Sequence, residues 1–162
     1  MTTDDGDFNL PLFRMSGAVY ALRDGKILIL KRALGEMVGA WAIPGGQVDE
    51  GEVPEQSAAR ELFEEAGLRP SGPLTLIGLV PMDVYGHQSL QATYAGDCPD
   101  GEVVISDEHA GFRWIDPREY RDRYFGDEQL KRVAEGSERR AAIVRNVRAV
   151  LDRCIAWLDG ER

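Results

Sequence analysis

Glu61, Glu64 and Glu65 fall at positions i, i+3 and i+4 of the run Arg60-Glu61-Leu62-Phe63-Glu64-Glu65-Ala66-Gly67-Leu68. On a helix that spacing stacks three carboxylates on one face, one turn apart. Like charges so placed repel by about a few tenths of a kcal/mol per pair even when solvated. The usual compensation is a hard divalent cation, which prefers carboxylate oxygens as ligands. The chemistry this pattern offers is therefore that of a bound cation.

The neighbouring residues build an element to carry those groups. Pro54 suits the first helical position, where its missing N–H costs nothing, and Gly67 suits the position just past the end. Between them Ala58, Ala59, Leu62, Phe63 and Ala66 recur at three- and four-residue steps as an apolar stripe. At about 100° per residue the three glutamates point roughly opposite that stripe, towards a surface or cleft. Val53 stands where an N-cap Ser, Thr or Asp is expected, a loss of about 0.5–2 kcal/mol. Ahead of the helix, Pro44-Gly45-Gly46 can turn sharply and leave backbone carbonyls and amides bare.

Gly46, five residues, Glu52, seven residues and then Arg60 to Leu68 resembles the Nudix box, G-x5-E-x7-R-E-U-x-E-E-x-G-U with U aliphatic. Every fixed position of that pattern is met, and Trp41-Ala42-Ile43-Pro44-Gly45-Gly46 is similar to the lead-in of these hydrolases. The resemblance implies an α/β fold, a Nudix-type α/β/α sandwich in which the box forms a loop–helix–loop at one edge of a mixed central sheet. It implies hydrolysis of a nucleoside diphosphate linked to another group, with water attacking phosphorus. Mg²⁺ is the implied cofactor, with Mn²⁺ as the alternative.

The same resemblance gives the residues their expected roles. Glu64 and Glu65 match metal ligands, and Glu61 matches a position that is either ligand or general base. Gly45 would offer its carbonyl to the metal, while Arg60 and Glu52 stand behind the ligands. A fourth acidic ligand often lies outside the box; Glu108 in Ser106-Asp107-Glu108-His109 is the choice, as ligand or base. Asp107 competes, and solvated loop charges are the plain alternative. Lys31 and Arg32, at the end of a strand leading to the box, could hold phosphate or simply face water. Trp41 and Trp114 are favoured as packing residues over base stackers. Tyr85, His87 and His109 are secondary candidates.

The substrate stays open among damaged nucleotide triphosphates, ADP-ribose-like dinucleotides and nucleotide sugars. Pro81 comes early for the ADP-ribose pattern. A non-catalytic nucleotide-binding sensor is the alternative function; the intact glutamate set and a short chain argue against it.

A chain of 162 residues, 43% hydrophobic, fits one domain, placed at residues 13–162 after a loose tail over 1–12. The net charge of −9 argues against a nucleic acid polymer as partner. A small-molecule nucleotide is compatible with it, because a bound metal reverses the local field. Cys98 and Cys154 have no metal-ligand spacing and read as reduced thiols in a cytoplasm. No signal peptide or membrane-spanning run is visible.

Periodicity predicts strands at Ser16–Arg23 and Lys26–Arg32 around an Asp24-Gly25 turn. Further strands are expected at Leu74–Val84, Ser89–Tyr94, Val103–Ile105 and Phe112–Ile115. Ser137 would cap a long last helix with Ile143, Val147, Val150, Cys154 and Leu158 on one face. The arginines of that helix are its solvated face or, alternatively, part of a homodimer contact.

Overall fold

The computed structural model describes residues 12–35, 37–84 and 86–160. Most of the expected tail and the candidate Tyr85 lie outside the described residues. Strands β1 (Arg14–Arg23) and β2 (Lys26–Arg32) form a hairpin. Both turn residues have positive φ, Asp24 at 50° and Gly25 at 74°, as a two-residue turn between right-twisted strands demands. Two short strands follow, β3 (Trp41–Ala42) and β4 (Gly45–Gln47), and then helix α1 (Pro54–Ala66). Strands β5 (Thr75–Val84), β6 (His87–Asp97) and β7 (His109–Ile115) precede helices α2 (Pro117–Phe125), α3 (Asp127–Gly136) and α4 (Glu138–Gly160).

The sheet is mixed. Its order is β3-β2-β1-β6-β5, with β4 also on β1 and β7 also on β2. β1 and β6 run parallel, and the other pairings are antiparallel. β1 and β2 part company beyond their turn, because β4 takes the β1 edge at Ala18 and Gly45 while β3 takes β2 at Lys31 and Trp41. The segment carrying the glycines of the box is thereby wedged into the sheet.

Alternation along the strands decides which layer each side chain joins. Val19, Ala21, Leu28 and Leu30 pack with Ala58, Leu62 and Ala66 of α1. Tyr20, Leu22, Ile27 and Ile29 pack with Tyr120 of α2 and with Val150, Leu151, Cys154 and Ile155 of α4. Ile27 to Leu30 are all at most 1% exposed, because helices cover both faces of the sheet. The architecture is the expected α/β/α sandwich.

Two local expectations are corrected, and two helices are added. Val103–Ile105 is not a strand. Instead the Val104 and Ser106 amides donate to the carbonyls of Ala66 (3.0 Å) and Glu65 (3.1 Å), satisfying the end of α1. The buried stripe of α1 is also rotated from the apolar pattern. Phe63 is 44% exposed beneath the Arg69 guanidinium, while Ser57 and Glu65 are buried. The rotation follows from how α1 seats on the sheet at Gly17, where a Cβ would lie 2.1 Å from the Pro54 carbonyl oxygen. Helices α2 and α3, finally, lie in a stretch for which the sequence reading names no element. For α2 a capping signal exists: the Asp116 carboxylate accepts from the Arg118 amide at 2.8 Å, and Pro117 follows as the first helical residue.

The long last helix is as expected, with the Arg140 amide donating to Ser137 Oγ at 3.3 Å. Several of its arginines are paired to acids: Arg139 with Asp83, Arg145 with Glu138 and Arg148 with Asp127.

Candidate active site

The box joins sheet to helix through Ser57, whose hydroxyl donates to the carbonyls of Gly46 (3.3 Å) and Gln47 (3.0 Å). Ser57 is fully buried, so these bonds fix β4 against the first turn of α1. Gly46 is bare for a reason: a Cβ there would lie 2.2 Å from Glu61 Oε1. The Glu61 carboxylate thus rests directly on the β4 backbone. Half of a capping box replaces the missing N-cap side chain, since the Val53 amide donates to Gln56 Oε1 at 3.0 Å.

Arg60 is the hub of the acidic face. Its Nε and Nη2 donate to Glu52 (2.9 and 3.1 Å), its Nη1 to Glu61 (2.9 Å) and Glu64 (3.1 Å), and its Nη2 also to the Gln47 carbonyl (2.9 Å). Asp49 stands 3.4 Å from the same guanidinium. Hydrogen bonding to Arg60 holds the Glu52 carboxyl below the usual carboxylate range. The repulsion among the stacked carboxylates is therefore met in part by a residue of the box itself.

Glu65 lacks that relief. It is 7% exposed and lies beside Glu61 and Glu108. Burial, and then the charges of Glu61 and Glu108, push its carboxyl up to about 8 against the opposing Gly45 amide and Arg32. Burial also raises Glu61, with Arg60 opposing. His109 Nε2 stands 3.7 Å from Glu65 Oε2, and its Nδ1 is 3.4 Å from Ser106 Oγ. Burial pushes the imidazole pKa down, favouring its neutral form.

The structure brings Glu61, Glu64, Glu65, Arg60, Gly45 and Glu108 to one end of the sheet, with Arg32 among them. Glu108 is held there because the Ala33 amide donates to its carbonyl at 2.8 Å. Lys31 is not among them: it follows the opposite alternation and pairs across with Trp41. Trp114 pairs with Leu28, well along the strand from that end, under the Arg23 guanidinium. His109 and Ser57 are the contributors that sequence reasoning undervalues. A buried Ser in the first turn of α1 carries no spacing signal, whereas His109 adjoins the chosen Glu108.

Among the described residues no three His, Cys, Asp or Glu side chains are grouped as a ready cation site. Glu61 and Glu64 are turned onto Arg60, and Glu65 onto the Gly45 amide. The donor chemistry nevertheless fits a hard cation. Every candidate ligand is oxygen, and a buried carboxyl with a raised pKa between two further carboxylates exchanges its proton for a cation.

The NUDIX domain model matches residues 13–135, and the chain belongs to this family. It is similar to the RNA pyrophosphohydrolase of Bartonella quintana (strain Toulouse), 41% identical over 75 residues, 43% of each chain. It is also similar to the putative 8-oxo-dGTP diphosphatase 3 of Mycobacterium tuberculosis (strain CDC 1551 / Oshkosh), 35% identical over 101 residues, 59% of this chain and 46% of the relative. The chain thus spans less than half the length of either curated relative. A C. elegans Ap4A hydrolase structure shares the fold with a TM-score of 0.67, covering 91% of this chain and 98% of its own at 20% identity.

Proposed function

We propose that this chain is a pyrophosphohydrolase that uses a divalent cation, Mg²⁺ or Mn²⁺, to split the diphosphate linkage of a small nucleoside diphosphate derivative. The observation that carries the reading is Glu65: a buried, protonation-prone carboxyl flanked by Glu61 and Glu108 and faced by Arg32. Such a constellation costs stability in the free protein and has a use once a cation is bound. Glu61, Glu64, Glu65 and Glu108, with the Gly45 carbonyl, would hold the ion. When bound, the ion neutralises the diphosphate and acidifies water.

The chain's own groups supply the rest. Arg60, anchored on Glu52 and the Gln47 carbonyl, sets the directions of the Glu61 and Glu64 carboxylates. Arg32 offers a guanidinium to a phosphate oxygen, and Lys31 a second cation one residue away on the other face. Water oxygen bonds to phosphorus, the bridging P–O bond breaks, and the water proton passes to a carboxylate or to His109. The net charge of −9 disfavours a long polymer and leaves nucleoside triphosphates, dinucleotides and nucleotide sugars as the substrate panel.

The reading also treats residues 13–162 as one domain of a cytoplasmic protein; both cysteines are buried and neither is in a disulfide among the described residues. The test is release of phosphate, pyrophosphate or nucleotide from that panel with and without Mg²⁺. Turnover that is lost on chelation supports the reading. Tight nucleotide binding with no turnover on any member favours a non-catalytic sensor instead.

A further inference from the structure

His109 faces the opposite way from what its place on β7 dictates. Ile115 lies in the α2 and α4 core and Trp114 against the α1 core, so strict alternation puts His109 on the Ile115 side. A β-bulge prevents this: Lys31 pairs with Gly111 and Arg32 with His109, which leaves Ala110 as the extra residue. Bulges re-aim side chains and are over-represented next to active sites. This one turns His109 towards α1, where its Nε2 stands 3.7 Å from Glu65 Oε2.

The turned imidazole is held from behind. Its Nδ1 lies 3.4 Å from Ser106 Oγ, and the Ser106 amide donates to the Glu65 carbonyl at 3.1 Å. One residue thus fixes both the ring and the backbone of the carboxylate it faces. Nε2 has no hydrogen-bond partner among the described residues, since 3.7 Å is too long for one. The two side chains are only 9% and 10% exposed, so the bulk solvent does not satisfy them either. An imidazole anchored through one nitrogen, with the other aimed into a carboxylate cluster, has the arrangement of a metal ligand. Two donor atoms each about 2.1 Å from one ion stand about 3.0–3.4 Å apart. A shift of roughly 0.3–0.7 Å therefore closes this pair on an ion.

We propose that His109 Nε2 is a nitrogen ligand of the cation held by Glu65 and Glu108, and that it makes the site prefer divalent transition-metal ions to Mg²⁺. Mg²⁺ takes oxygen ligands and keeps its waters, so it gains little from an imidazole. Transition-metal ions accept the nitrogen, and their affinity rises from Mn²⁺ to Co²⁺. A ring bound to the ion is not available as a base, so the water proton passes to a carboxylate. The inference rests on the divalent-cation reading above, and it names the ions that the site selects.

The test loads tag-free protein with Mn²⁺ and records its electron spin-echo modulation. The chain has two histidines, so the signal has two possible sources. Modulation from a coordinated imidazole nitrogen is expected in wild type and in His87→Gln, and is lost in His109→Gln. By calorimetry, His109→Gln should lose about tenfold in Co²⁺ affinity and less than about threefold in Mg²⁺ affinity. A wild-type spectrum without nitrogen modulation overturns the proposal, and that result depends on no variant folding. Modulation that survives in His109→Gln overturns it as well, as do equal losses for both ions. Mg²⁺-dependent turnover of the nucleotide panel separates the two readings. Turnover with a nitrogen-free Mn²⁺ spectrum removes the His109 ligand alone, and neither turnover nor ion binding removes both.

Discussion

His109 Nε2 lies 3.7 Å from Glu65 Oε2, and both side chains are about nine-tenths buried. Neither residue's sequence neighbourhood brings them together. Their meeting depends on the segment after Val103, which bonds the last carbonyls of α1 and then turns back through Ser106, whose carbonyl accepts from the His109 amide at 3.1 Å. The pair sets a carboxyl that favours its proton beside an imidazole that favours its neutral form.

That arrangement fixes a pH dependence. Glu65 has a folded pKa of about 8 against 4.5 when free, so the native state holds the proton more tightly than the unfolded chain. Its contribution to stability is then present at low pH and is lost as pH rises from 4.5 to about 8. With EDTA present, the melting temperature of Glu65→Gln relative to wild type should rise across that window, and Mg²⁺ should stabilise wild type most at its upper end. The same variant should lose at least about a hundredfold in kcat. Near wild-type turnover from a folded Glu65→Gln protein would remove Glu65 from the site.

Arg60→Met takes away the cation shared by Glu52, Glu61 and Glu64. The guanidinium is partly exposed, so the expected loss is about 1–2 kcal/mol in urea unfolding. Added salt or Mg²⁺ should recover more stability in the variant than in wild type, because the residual repulsion is screened or neutralised. Equal recovery in both proteins would show that Arg60 is not the balancing charge.

Gly46→Ala puts a methyl group where Glu61 Oε1 now sits. The carboxylate must swing aside, which a side chain can do at a cost of about 1–3 kcal/mol. The variant should stay folded by circular dichroism while kcat/KM falls at least about tenfold, the rate equivalent of the lower end of that cost. Full activity would mean that the position of Glu61 is not critical.

Arg32 and Lys31 are neighbours with opposite orientations, so their removal should not be equivalent. Arg32→Ala should raise KM for a nucleoside triphosphate by about tenfold, the size of one charge-assisted phosphate contact of about 1.4 kcal/mol. Lys31→Ala should raise it less. The reverse order in steady-state kinetics would place the phosphates on the Trp41 face.

Much of the site can be read from local spacing. Glu61, Glu64 and Glu65 on one helix with Arg60 beside them is a consequence of 3.6 residues per turn, and Pro54 and Gly67 mark where that helix starts and stops. The hairpin at Asp24-Gly25 and the Ser137 start of the last helix are equally local. Helix periodicity nonetheless treats an element as if it had one uniform environment. It places Phe63 inside and Glu65 outside, and packing reverses both.

What the chain determined by itself was therefore the set of chemical groups and the element that carries them. Only the tertiary structure decided that Glu65 is buried, that Arg60 balances Glu61 and Glu64, and that Glu108, His109 and Arg32 close around them while Lys31 does not. The physical reason is that burial and long-range charge depend on what packs over a residue. Here that is a loop distant in sequence, seated by two hydrogen bonds on the end of α1.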